Sequence, residues 1–299
     1  VHEIRIECPK IFDYEKWLDY LKRDENEVLF EVEDHKIYRA INLDGERLLM
    51  CIYYHRHYLI VEILNDVSVN PTLTEKIIAY IEEWFDFSAD LSSFYQYGRK
   101  NEILKPLIQE LYGLRLIRIP NLFEAISWGI IGQQINLIFA YQLKKRLVQT
   151  YGEKITYNHK AYYMHPTTEV IANVSVQELM ALKFSRRKAE YLIDIAKRMH
   201  SQMLSKDMLL DIEDTNEIER TLIKIRGIGP WTAHYVMMRA LGVQDVFPIG
   251  DVGLQNALKG ILNLDKKPSK EQMLSLNEGW HEWSSYATFY IWRAPHIQN

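Results

Sequence analysis

The stretch EIERTLIKIRGIGPWTAHYVMMRALG, residues 217 to 242, holds the groups of this chain best placed to bind an anion. Two helical patterns meet at Gly227-Ile228-Gly229, with Pro230 at the first turn of the second, the sequence form of a helix-hairpin-helix. Glycines let a ligand come close to the backbone, and the amides opening the second helix favour an anion such as a DNA phosphate without any lysine. An ordinary tight turn would use the same Gly-x-Gly, so the hairpin alone leaves both readings open. Trp231 and Tyr235 share a helix face, suited to stacking on a flat ring or to core packing. Further on, Asp251 opens VGLQNALKGIL, where an aspartate caps a helix. Lys144-Lys145-Arg146 and Arg186-Arg187-Lys188 read as solvated helix faces, leaving Thr232, beside the hairpin, as the better candidate for phosphate contact. His55 and His57 alternate along one strand and could share a metal, but no third ligand stands near them. Cys8 and Cys51 are too few for a disulfide framework, a four-cysteine zinc site or an iron-sulfur cluster.

These groups need a scaffold, and 299 residues with 47% apolar content can bury a full core in two or three domains. No apolar run approaches a membrane span, and VHEIRIECPK lacks the order of a signal peptide, so an intracellular protein of the cytoplasm or nucleoid is expected. A formal charge of -4 argues against general coating of nucleic acid but permits a local grip on phosphate. Residues 27 to 64 hold three β-rich runs, EVLFEVE, HKIYRAINL and ERLLMCIYYHRHYLIVEI, with Asp44-Gly45 as a hairpin signal. Thr72 with Glu75 forms a capping box ahead of EKIIAYIEEWF, whose apolar stripe can cover that sheet. The pattern predicts an α+β domain over 1–90, an antiparallel sheet plus a helix. From Leu91 onward the period is helical and no strand pair is expected. Asn121, Asn136, Ser175 with Glu178, and Ser185 mark helix starts, and Gly152 a stop.

At GIGPWTAHY, FPIGDVGL, FEAISWGIIGQQIN and WHEWSSYATFYIWR the sequence resembles the helix-hairpin-helix DNA glycosylases, most closely the 3-methyladenine DNA glycosylase II (AlkA-like) branch. The motifs occur in that family's order over residues 119 to 299. The resemblance implies an all-α glycosylase bundle over 91–299, with a helix-hairpin-helix subdomain at about 119–244 and a second subdomain from 91–118 and 245–299. It makes Asp251 the catalytic carboxylate, placed to stabilise positive charge on the deoxyribose or to help water attack. Gly250 stands where some relatives carry a second acid, leaving Asp251 as the loop's one candidate. Strand-cutting members carry a Schiff-base lysine in a G-x-G-x-K-T-A motif; here that position is Trp231, which implies hydrolysis without lyase activity.

The same resemblance gathers Trp231, Tyr235 and Trp292 around an extruded base, with Tyr20 as a further wall, an electron-rich box suited to a purine made cationic by alkylation. Gly227, Gly229 and Thr232 would hold DNA, and Gln133-Gln134 occupy the wedge loop. Gln134 matches the intercalating side chain, where a relative has an apolar residue. The backbone carbonyls of Ile223, Ile225 and Ile228 correspond to those that hold a monovalent cation, Na or K, with their side chains in the core. The reading is a monofunctional glycosylase for alkylated purines of the 3-methyladenine and 7-methylguanine type. It acts on damaged double-stranded DNA, starts base-excision repair, and requires no other cofactor, membrane or obligate protein partner. The alternatives are a glycosylase for deaminated or oxidised bases and a non-catalytic DNA-binding module.

Overall fold

The computed structural model describes residues 2–297. An antiparallel sheet comprises β1 (His2–Glu7), β2 (Phe30–Glu33), β3 (Lys36–Leu43), β4 (Glu46–His55) and β5 (Tyr58–Ile63), in the order β1-β5-β4-β3-β2. Asp44 and Gly45 close β3 onto β4 with φ of 52° and 95°, the left-handed pair a two-residue hairpin demands. Arg56 and His57 do the same between β4 and β5, at 48° and 70°. The third β-rich run is therefore two strands, and His57 sits in their turn instead of alternating with His55. Arg-His carries none of the usual turn chemistry, which is why the break is hidden in the sequence. Two further elements extend the expected meander. The strand β1 pairs along β5, Ile4 opposite Val61, and α1 (Tyr14–Leu21) is capped by Asp13.

Helix α2 (Pro71–Trp84) starts two residues earlier than the Thr72 box suggests. Asn70 accepts from Leu73 N at 2.8 Å, and Pro71 takes the first helical position, where its missing N–H costs nothing. Its buried Leu73, Ile77, Ile81 and Trp84 join an apolar cluster shared with the sheet, with α3 (Leu91–Gly98) and α4 (Leu104–Glu110), and with the C-terminal helices. Apolar packing thus runs straight across residue 90.

A second cluster belongs to residues 122–246. It is built by α5 (Leu122–Ile131), α6 (Leu137–Tyr151), α7 (Thr168–Ala172), α8 (Val176–Ala181), α9 (Arg186–His200), α10 (Lys206–Leu210), α11 (Thr215–Ile223) and α12 (Pro230–Arg239). Asn121, Asn136, Ser175 and Ser185 cap α5, α6, α8 and α9 through side-chain acceptors. The chain returns to the first cluster through α13 (Val252–Ile261), α14 (Lys270–Glu278) and α15 (Ser284–Ile297).

The region after Leu91 is not wholly helical. β6 (Lys154–Tyr157) and β7 (Lys160–Tyr163) form a hairpin turned by Asn158 and His159, both at positive φ. It lies on the sheet, where Tyr162 meets Tyr38 at 5.9 Å and Ile155 and Tyr157 pack beside Ala40 and Leu49. Four-residue strands are at the lower limit of length at which alternation can be read.

Buried charge locks the two clusters together. Arg118, 8% exposed, donates to Asp86 Oδ1 at 3.2 Å and to the carbonyls of Arg239 and Ala240 at 3.1 and 2.9 Å. Tyr286 of α15 donates to Asp86 Oδ2 at 2.6 Å. These bonds fix the far end of α12 against α15, and so set where the tryptophans of both helices converge.

Candidate active site

The hairpin turn Gly227-Ile228-Gly229 follows α11 and leads into α12. Gly227 has φ +95°, and a Cβ there would lie 2.4 Å from Tyr191 Cγ, so both conformation and space require glycine. Gly229 is the N-cap of α12 and supplies no side-chain acceptor, which leaves the first amides of that helix for an outside partner. The turn borders a groove of about 860 Å³ with the α5–α6 loop at 132–136 and the start of α13 at 250–253.

Asp251 is the one carboxylate among the residues lining this groove, and no lysine or arginine lines it. It is 7% exposed and caps α13, its Oδ1 accepting from Leu254 N at 2.6 Å. Oδ1 also accepts from Trp292 Nε1 at 2.9 Å, and Oδ2 from Trp231 Nε1 at 2.6 Å. Capping and presentation to the groove therefore coexist in one side chain. Gly253 permits the closeness, since a Cβ there would stand 3.2 Å from Asp251 Oδ1 and 3.8 Å from the Trp292 ring. Trp231 in turn stacks on Tyr235, ring centres 5.7 Å apart and 26° between planes. A carboxylate with three N–H donors beside stacked aromatic rings can hold negative charge opposite a developing cation, next to a surface on which a flat base could rest.

The other site residues separate on inspection. Of the four side chains expected around the base only Trp231 lines the groove; Trp292 touches it through its bond to Asp251, and Tyr20, buried at 4% exposure, shares a small cavity with Tyr235 and Arg239. Gln134 is exposed at φ +54°, a strained conformation that projects it from the loop. Leu137 and Ile138 stand exposed beside it, 54% and 64%. Gln133 is a strut, donating to Gly227 O at 2.8 Å and to Thr232 Oγ1 at 2.9 Å, and so ties the wedge loop to the hairpin. Thr232 is 1% exposed with its hydroxyl on Gln133, so the side chain expected on phosphate is turned inward. Ile225 and Ile228 are buried as expected, whereas Ile223 is 37% exposed.

The basic runs also differ from solvated faces. Lys144 pairs with Glu27 at 2.7 Å, both nearly buried. Lys188 donates to Ile131 O at 2.7 Å at the end of α5, and burial lowers its pKa. Arg186 and Arg187 remain exposed. Sequence reasoning passed over Gly253, which makes room for Trp292 beside Asp251, and Arg23, which donates Nε to Tyr141 Oη at 2.9 Å; both partners are distant in the chain. Among the described residues no group of three or more His, Cys, Asp or Glu side chains could hold a metal ion, and no helix is long and apolar enough to cross a membrane.

Two family models match the chain. Residues 128–282 match the HhH-GPD superfamily base excision DNA repair protein, and residues 14–126 the N-terminal domain of 8-oxoguanine DNA glycosylase. A DNA-3-methyladenine glycosylase of Bacillus subtilis is 43% identical over 298 residues, 98% of each chain. The solved structure of a 3-methyladenine DNA glycosylase from Archaeoglobus fulgidus superposes with a TM-score of 0.86 at 26% identity, covering 98% of each chain. An 8-oxoguanine glycosylase/lyase of Clostridium acetobutylicum, solved with DNA, shares the fold at a TM-score of 0.76 and 17% identity over 96% of this chain and 93% of that one. With the hairpin, the aspartate loop and the preceding sheet all in place, the chain belongs to the HhH-GPD superfamily of base excision DNA repair proteins.

Proposed function

We propose that this protein is a monofunctional DNA glycosylase that hydrolyses the N-glycosidic bond of alkylated purines, of the 3-methyladenine and 7-methylguanine type, in duplex DNA. The observation that carries the reading is Asp251, held by two indole N–H groups and a helix-start amide at the edge of a groove that has no lysine in its lining. The names of the Bacillus and Archaeoglobus relatives support the choice of lesion.

The backbone amides after Gly229 grip a phosphate, while Gln134 enters the stack vacated by the extruded nucleotide and can hydrogen-bond to its orphaned partner. The base rests against Trp231, Tyr235 and Trp292, where cation-π attraction favours a positively charged purine. The glycosidic bond breaks with its electron pair leaving on the purine, which departs neutral because alkylation had made it cationic. Asp251 stabilises the positive charge left on the sugar. Water adds to the anomeric carbon and its proton passes to the carboxylate or to solvent, leaving an abasic site. No amine in the groove is available to form a Schiff base, so the strand stays intact.

A monovalent cation fits the hairpin carbonyls. Ile223 ends α11, where carbonyls lack intrahelical partners, and Ile225 O accepts from Ile228 N at 3.1 Å but keeps a second lone pair. Held there with Ile228 O, the ion would supply positive charge to a DNA phosphate.

The test is release of free base from methylated duplex DNA by the wild type and by Asp251→Asn, with strand cuts read with and without alkali. Base release by the wild type alone, with cuts that need alkali, is expected. Retained turnover in Asp251→Asn would remove Asp251 from the chemistry, and a borohydride-trapped covalent adduct would overturn the monofunctional assignment.

A further inference from the structure

Tyr235 lies outside the groove's lining, stacked behind Trp231, and lines a second, smaller cavity of about 40 Å³, walled by Tyr20, Arg23, Trp128, Tyr141 and Arg239 among others. A water needs roughly 10–15 Å³ of such space, so there is room for an exocyclic group with a water or two, though not for a purine ring. The wall is rich in donors. Arg39 and Lys144 are matched by Glu124 and Glu27, but Arg23 and Arg239 meet no carboxylate among the described residues. Arg23 gives Nε to Tyr141 Oη at 2.9 Å and Nη1 to Tyr20 Oη, leaving Nη2 without an acceptor among the described residues. Arg239 gives Nε to Ile117 O at 2.5 Å and Nη1 to Tyr20 Oη at 3.3 Å. Burial would raise the pKa of the Tyr20 phenol, but Arg23, then Arg239 and Arg293, outweigh it and hold the group below its ordinary value. One phenol is the shared acceptor of two guanidinium groups.

The Tyr235 hydroxyl is the odd member. Its residue is 6% exposed, and the hydroxyl is buried with no hydrogen-bond partner among the described residues. Burial pushes this phenol up to about 12, so it keeps its proton at neutral pH and can donate. A buried donor without an acceptor is costly and calls for one from outside the chain. Arg23 is exposed as a residue, but its guanidinium is held inward on the cavity wall by Tyr20 and Tyr141.

We propose that this cavity receives the carbonyl oxygen of a 6-oxo purine, with the Tyr235 hydroxyl and the Arg23 guanidinium as donors, and that it sets the site's preference for alkylated guanine over alkylated adenine. The inference rests on the reading of Trp231 and Tyr235 as the platform for the extruded base. Guanine presents O6, an acceptor, to the donor set. Adenine presents an amino group, which arginine cannot accept and which Tyr235 could accept only in place of donating. A hydroxyl built to hydrogen-bond a substrate edge discriminates strongly because the wrong edge leaves it unpaired.

The experiment gives the full-length protein duplex DNA carrying both 7-methylguanine and 3-methyladenine, and times the release of each base in one reaction. Tyr235→Phe removes only the hydroxyl and should lower the release of 7-methylguanine about tenfold relative to that of 3-methyladenine, the effect of one buried hydrogen bond. Since that hydroxyl has no hydrogen-bond partner among the described residues, its removal does not endanger folding. Arg23→Gln should shift the ratio in the same direction. An unchanged ratio in Tyr235→Phe, or equal falls in both rates, overturns the proposal. Tyr235→Leu separates the two readings. If it leaves both rates at wild type, the platform reading falls and this inference with it. If it abolishes both releases while Tyr235→Phe leaves the ratio alone, only the carbonyl reading falls.

Discussion

Replacing the two hairpin glycines one at a time should separate folding from DNA recognition. At Gly227 an alanine must adopt φ +95° and place its Cβ 2.4 Å from Tyr191 Cγ. The left-handed conformation costs an L residue about 1–2 kcal/mol, and overpacking adds about 1–3 kcal/mol, so Gly227→Ala should lose roughly 2–5 kcal/mol. For a protein of this size that is a fall in Tm of roughly 3–8 °C. Gly229 differs in both respects, with φ -92° and nothing within 4 Å of the position an added methyl would take. Alanine there is only a poorer N-cap, at a cost of about 1 kcal/mol. Its methyl would, however, stand where a phosphate must approach the α12 amides. Loss of a charge-assisted hydrogen bond of about 1.5–3 kcal/mol weakens binding about 10–100-fold. Calorimetry reads Tm, and fluorescence anisotropy of a labelled duplex at fixed salt reads Kd. A wild-type Tm for Gly227→Ala, or wild-type affinity for Gly229→Ala, would refute the reasoning.

Trp292→Phe keeps a ring but removes the N–H on Asp251 Oδ1 at 2.9 Å; single-turnover base release should slow about 10–100-fold, and an unaltered rate would mean the indole does not position the carboxylate. Tyr286→Phe strips one donor from buried Asp86 and one acceptor from Leu116 N, and thermal unfolding should report a loss of about 2–4 kcal/mol; a Tm within about 2 °C of wild type would count against the buried network as the link between clusters. His165 titrates at about 4 in the folded chain, chiefly because burial disfavours its cation. Its contribution is therefore fully present above about pH 6.5, where the unfolded state is neutral too, and is lost as pH falls toward 4, by about 3 kcal/mol. In His165→Gln the drop in Tm between neutral pH and pH 4.5 should be smaller, and an equal drop would exclude His165 as a source of acid sensitivity.

How much of this molecule is legible without coordinates follows from the range of the forces involved. A cap closes a ring of a few residues, so Asn121, Asn136, Ser175 and Ser185 announce their helices, and Asp44-Gly45 announces its hairpin. Even local signals compete: Asn70 wins the cap of α2 from Thr72 because Pro71 suits the first helical position. The turns at Arg56-His57 and Asn158-His159 are set by the pairing of their strands more than by their own chemistry, and both escape the sequence.

The same division runs through the site. Hairpin, aspartate loop and aromatic C-terminus are each visible as short motifs in order, and the family follows from them. Which side chains meet is another matter. Thr232 and Lys144 look like surface groups in sequence, yet packing turns one onto Gln133 and the other onto Glu27. Asp251 receives Trp231 from α12 and Trp292 from α15 because the buried bonds of Arg118 and Asp86 hold those helices together. The sequence by itself determined the hairpin and the aspartate that caps α13, since both depend on neighbours along the chain. Tertiary structure alone decided the indole cage around that carboxylate and the unpaired Tyr235 hydroxyl, since both depend on burial and on contacts between distant segments.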